Sequence, residues 1–484
     1  MVYGDGKSAP LPHSSELTSA CGRSVLARSL VHERKDLPSG RYWGILHRAG
    51  HPQAAKAFTT QELSMRFFLS ACFFLILAGA ALVAQPNSHR AADGVTSPQP
   101  PTYDVGAPAA QGIAIADVNG DGNLDLLVAD QIGVAVLLGN GDGTFQPAVN
   151  YSSGGFDAYS VAVGDVNGDG KPDLVVATFC YDDGCPYDGG GGVGVLLGNG
   201  DGTFQPVTVY SNSDWNNFSV ALADVNGDGN LDVVVGSGDC TDAGLGCDKG
   251  VVSVLLGNGD GSFGQPTFYT PGGLYTQSVV VADVNGDGKP DILAGSCELK
   301  DSGCAQAWVA ELLGNGNGTF QSPSFYGARG YVVTDLVATD VNGDGNVDLL
   351  VANSFGVAEL LGNGKGSFET KAVSITSHPY ALAAADLNGN GKVDIVLDYE
   401  CVHPCSGMQF WAIGFALGRG NGNFRVDAST FSSGGINATA VAVGDLNGDG
   451  KPDVVVVNYC GGSSKCNGDG TVGVLLSGSL PDPR

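Results

Sequence analysis

From Gly112 onward, short apolar runs alternate with glycine-rich polar intervals. "GIAIA" (112–116) precedes "DVNGDGNLD" (117–125), "LLVA" (126–129) follows, and "GVAVLL", "GNGDGTF" and "QPAVNY" complete a unit ending at Tyr151. Apolar runs of four to six residues, rich in β-branched side chains and bounded by Gly, Asn and Asp, predict strands. Each unit therefore holds four, named A to D in order. The acidic interval is the A to B loop, and "GNGDG" is the turn of a C to D hairpin. Strand B is apolar without alternation, as a strand must be when both faces of its sheet are covered.

The unit recurs, with acidic loops starting at Asp117, Asp165, Asp224, Asp283, Asp340, Asp386 and Asp445. Successive starts lie from 46 residues (Asp340 to Asp386) to 59 residues (Asp165 to Asp224) apart. The variation falls in the B to C connection, which is tight in "ADQIGVA" and "ANSFGVA" and long elsewhere. Seven four-stranded units of this size predict an all-β, seven-bladed β-propeller. An open solenoid does not suit the chain ends. The last repeat stops at "VGVLLSGSLPDPR" without a fourth strand, and "PPTYDVGAP" ahead of the first loop resembles that missing strand. Residues near Thr102 to Gly106 are expected to pair with the strand ending at Ser477, closing the ring and removing exposed edges.

Composition narrows the class of partner. A formal net charge of -27 and a pI near 4.3 oppose binding to nucleic acid or to an anionic membrane surface. The 76 glycines fit a turn-rich β protein. Residues 1–64 differ from the rest. They carry eight of the 23 basic residues, no periodic apolar pattern and no copy of the repeat, and receive no fold assignment. "MRFFLSACFFLILAGAALVAQ" from Met65 has the layout of a secretory signal peptide over 65–84, with Met65 the expected start of the expressed chain. The alternative is a retained N-terminal membrane anchor, because Phe67 to Ala84 is uncharged and just long enough to span. Residues 85–100 form a linker and 101–484 the propeller. Both readings place the repeats outside the cytoplasm.

Cysteine spacing agrees with export. Ten cysteines fall in five close pairs, each within one repeat: Cys180 with Cys185, Cys240 with Cys247, Cys297 with Cys304, Cys401 with Cys405, and Cys460 with Cys466. Zinc needs four converging ligands. Isolated pairs instead predict short disulfides that hold the shape of the B to C loops in an oxidising compartment.

The acidic loops carry the clearest chemistry. Oxygen-bearing side chains stand at positions 1, 3, 5 and 9 of every loop and also at 7 in the first, third and fifth, with glycine at position 6, where a sharp turn needs positive φ. In the first loop these are Asp117, Asn119, Asp121, Asn123 and Asp125, around Gly122. The second has Asp165, Asn167, Asp169, Lys171 and Asp173, and the third Asp224, Asn226, Asp228, Asn230 and Asp232. The fourth has Asp283, Asn285, Asp287, Lys289 and Asp291, and the fifth Asp340, Asn342, Asp344, Asn346 and Asp348. The sixth has Asp386, Asn388, Asn390, Lys392 and Asp394, and the seventh Asp445, Asn447, Asp449, Lys451 and Asp453. A plain Asn-Gly or Asp-Gly hairpin needs no carboxylates at 1, 5 and 9. Calcium, which takes six to eight oxygens, does. About seven calcium ions are expected, with position 7 contributing its backbone carbonyl, so that its side chain should not matter. Asn390 removes a charge and should weaken the sixth site.

These "D-[VL]-N-G-[DN]-G-x-x-D" loops in their strand context resemble the FG-GAP or VCBS-type repeats, similar to the seven-bladed propeller at the N-terminus of integrin α chains. The resemblance covers residues 101–484 and implies calcium on one face, with ligand binding on the other. The expected function is a secreted, monomeric binding or adhesion scaffold for an extracellular glycan or protein. Its variable loops would present aromatic residues, Trp215, Trp308 and Trp411 among them. A polysaccharide-active, lyase-like enzyme and a purely structural extracellular protein are the alternatives. No nucleophile with a base at recognisable spacing appears in the repeats, whose histidines are His378 and His403 alone.

Overall fold

A computed structural model of the protein describes residues 99–479, apart from 181–190, 213–215, 240–248, 301–302, 373–374, 376–377, 401–410 and 462–467. The N-terminal extension, the apolar segment from Phe67 and nearly all of the linker lie outside these residues, and so do the expectations about targeting. Among the described residues, 28 strands form seven four-stranded antiparallel sheets, with no α-helix. Blade 1 runs Gly112–Ala116, Asp125–Ala129, Gly133–Leu137 and Val149–Ser152. Blade 7 runs Ile436–Gly444, Asp453–Cys460 and Thr471–Leu475, with Thr102–Asp104 as its outer strand and Thr102 opposite Gly473. Each A strand packs against the A strand of the next blade, and that of blade 7 against that of blade 1.

The continuous apolarity of strand B now has its reason. Leu126 and Val128 join the core between blades 7 and 1, whereas Leu127 and Ala129 join the core between blades 1 and 2. The same division holds at Val233 and Val235 against Val234. The apolar run of each B strand is buried, one face toward each neighbour, at about 1.5–3 kcal/mol for each large side chain.

Three further contacts sew the blades together. The first joins an aromatic residue of strand D to the C to D turn of the next blade. Tyr151 meets Phe204 edge to face at 5.3 Å, Tyr210 meets Phe263 at 5.5 Å, Tyr269 meets Phe320 at 5.4 Å and Tyr326 meets Phe368 at 5.2 Å. Tyr103 repeats the contact on Phe145 at 5.3 Å. Such pairs contribute about 0.5–1.5 kcal/mol beyond burial. The second contact links A strands, as Ser160, Ser219 and Ser278 accept hydrogen bonds from the N–H of Val220, Val279 and Leu336. Asp335 does the same for Leu382 at 3.0 Å. The third is a buried polar residue at the far end of strand B that fixes the connection between blades. Asn353 donates to Ala328 O and Asn458 to Ser433 O, while Asp398 accepts from Tyr380 and Ala381 N–H.

Blades 4 and 5 depart from this pattern in strand C. At the register position held by Val136, Val195 and Val254 in blades 1 to 3, they carry Glu311 and Glu359. Both are buried. Glu311 accepts from the Tyr326 hydroxyl at 3.2 Å, and Glu359 lies 3.6 Å from the Lys371 ammonium, which itself donates to Gly422 O in blade 6. Burial pushes both carboxyls up to about 7, Asp398 likewise to about 7, and Asp335 to about 6. In the unfolded chain these groups titrate at about 4. Between those values the folded state holds more protons, so stability is greatest at the acid end of the window and falls as pH rises through the folded values. The metal-free protein is therefore expected to melt several degrees higher at about pH 5 than at about pH 8, and Glu359→Gln to narrow the difference. Calorimetry in chelator checks this, and a melting temperature that rises with pH contradicts it.

Candidate metal loops

Each acidic loop is built on the carboxylate at position 1. In the first loop Asp117 accepts from Gly120 N at 2.7 Å through one oxygen and from Gly122 N at 2.9 Å through the other. Gly122 has φ +88°, a conformation that a Cβ would oppose. Asn119 Oδ1 accepts from Asp121 N, and Asp121 Oδ1 from Asn123 N, both at 2.8 Å. The chain thus curls around its own side-chain oxygens. Asp165, Asp224, Asp283 and Asp340 repeat the bond to position 4 at 2.7 Å. Asp386 and Asp445 hold the N–H groups of positions 5 and 6.

Position 9 does something else. Asp125 is fully buried, accepting from Val118 N at 2.9 Å and from Gly139 N at 2.7 Å, so it ties its own loop to the C to D turn of its blade. Asp173, Asp232, Asp291, Asp348 and Asp394 make the equivalent pair of bonds, and Asp453 grips Leu446 N and Ser477 N. Burial raises the pKa of each, against the lowering effect of those two bonds; carboxylates at positions 1 and 5 add to the rise in every loop but the sixth, where only Asp386 does. Each of these buried carboxylates is thus repelled by its neighbours.

Among the described residues, no group of three His, Cys, Asp or Glu side chains is drawn together closely enough to hold a metal ion. The loop oxygens point instead at backbone N–H groups. Each carboxylate oxygen can accept more than one partner, so the donor set still fits calcium: carboxylates at 1, 5 and 9, an amide oxygen at 3 and a carbonyl at 7. Four of the loops are also bonded to the C to D turn of the next blade, and Leu446 O of the seventh accepts from Gly143 N of blade 1 at 3.0 Å. Val118, Val166, Val225 and Val284 O accept from Gly202, Gly261, Gly318 and Gly366 N of the next blade at 3.1–3.2 Å.

Position 7 is not a free site for any side chain. A Cβ on Gly141 would lie 2.2 Å from Asn123 Oδ1, and one on Gly200 would lie 3.0 Å from Lys171 Cδ, so this side chain covers the C to D turn of its own blade. Spacing bears on the carbonyl alone and does not foretell this packing, which asparagine and lysine both make.

Of the five expected disulfides, Cys297–Cys304 is formed, with its Cα atoms 5.4 Å apart, and Cys460 is also disulfide-bonded. The side chains of Cys180, Cys185, Cys240, Cys247, Cys401, Cys405 and Cys466 lie outside the described residues, as do those of Trp215 and Trp411. Trp308 is half-buried, 5.0 Å from the exposed ring of Phe325. The sequence reading did not anticipate the buried polar residue thirteen positions after the loop start, at Asp130, Thr178, Ser237, Ser296, Asn353 and Asn458. Its signal was present: it is the first polar residue after each apolar B run.

The sequence model of the FG-GAP-like repeat matches residues 92–176, 184–235, 241–294, 340–397 and 407–456. The chain belongs to the FG-GAP-like repeat family. Solved structures similar to this FG-GAP chain include an Agrocybe aegerita lectin described as specifically recognising non-reducing terminal N-acetylglucosamine. It is 23% identical, with 67% of this chain and 80% of that one covered and a TM-score of 0.43. Another is BBS1N in complex with ARL6DN, 11% identical, with 80% and 97% covered and a TM-score of 0.48. No curated protein matches the chain. Neither structural likeness transfers a ligand to this FG-GAP propeller.

The two kinds of carboxylate separate experimentally. Asp232→Ala leaves two buried N–H groups unpaired and is expected to cost about 2–4 kcal/mol even in chelator. The exposed Asp228→Ala is expected to cost less than about 1 kcal/mol in chelator, with its larger effect confined to calcium. Denaturant titrations in both media check this, and equal losses for the two variants in chelator contradict it.

Proposed function

We propose that the protein is an exported, calcium-stabilised propeller scaffold that binds an extracellular glycan or protein through the face opposite its acidic loops. The observation that carries this reading is the segregation of alike from unlike. In an antiparallel meander the A to B and C to D turns share one end of every blade, and the B to C and D to A connections share the other. The first end repeats the same loop seven times. The second end differs from blade to blade in length and composition, which suits recognition of one partner.

Exposed apolar side chains support the same division. Ile132 and Phe355 stand exposed in the two tight B to C turns, Phe156 at the start of strand A of blade 2 and Tyr380 on a D to A connection. Ile132 and Phe156 border a depression of about 440 Å³ shared with Asn150, Tyr151 and Ser152. Apolar rings beside amide and hydroxyl groups are the composition of a recognition surface. The Cys297–Cys304 bridge supports an oxidising compartment, and the net charge disfavours polyanionic partners.

Calcium would be held by the carboxylates at positions 1, 5 and 9 of each loop with the amide at 3, neutralising their mutual repulsion. Its task is structural, because those loops also hold the blade junctions.

Screening the whole propeller against immobilised glycans and extracellular matrix proteins in calcium tests the reading. Phe156→Ala or Phe355→Ala is expected to weaken the captured interaction about tenfold or more while calcium content stays unchanged. Binding that survives every change on that face yet disappears with single acidic-loop variants in folded protein places the active surface on the metal side and contradicts the proposal.

A further inference from the structure

The residue at position 7 differs among the loops, and in loops 1 to 5 the difference is visible in what holds the outer oxygen of the position 5 carboxylate. In loop 7, which carries Lys451, the Ser477 hydroxyl donates to that oxygen of Asp449 at 3.1 Å. In loops 1, 3 and 5 position 7 is Asn123, Asn230 or Asn346. There the amide at position 3 donates to that oxygen: Asn119 to Asp121 at 3.1 Å, Asn226 to Asp228 at 3.0 Å and Asn342 to Asp344 at 3.1 Å. In loops 2 and 4 position 7 is lysine, and its ammonium takes the same oxygen instead. Lys171 lies 3.8 Å from Asp169 Oδ2 and Lys289 lies 3.4 Å from Asp287 Oδ2. The lysine stem is held in place as it passes over the C to D turn glycines Gly200 and Gly316.

We infer that position 7 sets the order in which the loops fill, with loops 1, 3 and 5 binding calcium more tightly than loops 2 and 4. The inference rests on the calcium reading of the loops and adds the residue that grades them. In loops 2 and 4 an incoming cation must displace an ammonium from one of its ligands and then sit beside it. In loops 1, 3 and 5 the donor to be displaced is the neutral amide at position 3, and no positive charge stays beside the cation. Counting charged side chains from position 1 to position 9, loops 1, 3 and 5 carry three negative charges and no positive one, whereas loops 2 and 4 carry three negative and one positive. Calcium affinity follows ligand charge. Loop 6, with Asn390 and Lys392, has the least charge of all and fills last. The lysine and aspartate side chains remain 45% and 38% exposed in loop 2, so the effect is that of a screened surface pair, about fivefold in affinity at most.

Equilibrium dialysis of the whole chain against radioactive calcium tests this. The unmodified protein is expected to show a tighter class of sites, loops 1, 3 and 5, ahead of a weaker class. Combining Lys171→Asn with Lys289→Asn is expected to tighten two of the weaker sites by about fivefold. Lys365→Asn, which removes an exposed charge from the C to D turn of blade 5, is expected to leave the isotherm unchanged. Calcium bound at all loops with affinities that the double variant does not move, or that Lys365→Asn moves equally, overturns the inference and leaves the calcium reading standing. Absence of calcium binding overturns both.

Discussion

The buried carboxylate at position 9 of each loop is the constraint around which the propeller is organised. It sits in the interior without a counter-charge, spends its oxygens on one N–H from its own loop and one from the C to D turn, and lies within reach of one or two further carboxylates. Removing such a group opens both ends of the acidic face in that blade. Keeping it ionised beside other anions costs free energy. The architecture therefore repeats, seven times over, a structural clamp built on a buried carboxylate, whose repulsion the proposed calcium would neutralise.

That clamp does not act within single blades. The carbonyl at position 2 of one loop accepts from a glycine N–H in the turn of the next blade, and the tyrosine of strand D presses on the phenylalanine of that same turn. Loop, turn and junction form one unit, so a change at one loop reaches its neighbour. The junction of blades 5 and 6 is built differently. There Lys371 lies 3.6 Å from buried Glu359 and donates to Gly422 O of blade 6. The sixth loop is also the one that carries Asn390. The side of the ring with the weakest predicted calcium site thus adjoins the junction that depends on an ion pair.

Much of this was legible in the sequence because repetition converts weak signals into strong ones. The unbroken apolarity of "LLVA" and "VVVV" already required covered faces, and the structure assigns alternate residues to alternate junctions. Loop positions 1 to 9 were readable from spacing. The second role of position 9 was not, because its partner Gly139 lies fourteen residues away and is set by hairpin geometry. The polar residue closing strand B escaped because its task, holding a backbone group of the adjoining connection, is met by Asp, Asn, Ser or Thr alike. The tyrosine contact was hidden although Phe145 and Tyr151 recur at constant spacing through Phe320 and Tyr326, since each tyrosine packs on the phenylalanine of a different repeat. The packing of the position 7 side chain escaped for a related reason: its neighbour is a turn glycine distant in sequence.

The proposed dependence of the fold on calcium is tested most directly by thermal unfolding of exhaustively chelated protein, with residual metal measured, before and after calcium is restored. A site held at a hundred times its dissociation constant adds about 2.7 kcal/mol. A large drop in melting temperature on chelation is therefore predicted, recovered by calcium and far less by magnesium, whose near-octahedral shell suits these loops poorly. Superimposable melting curves for metal-free and calcium-loaded protein would contradict it.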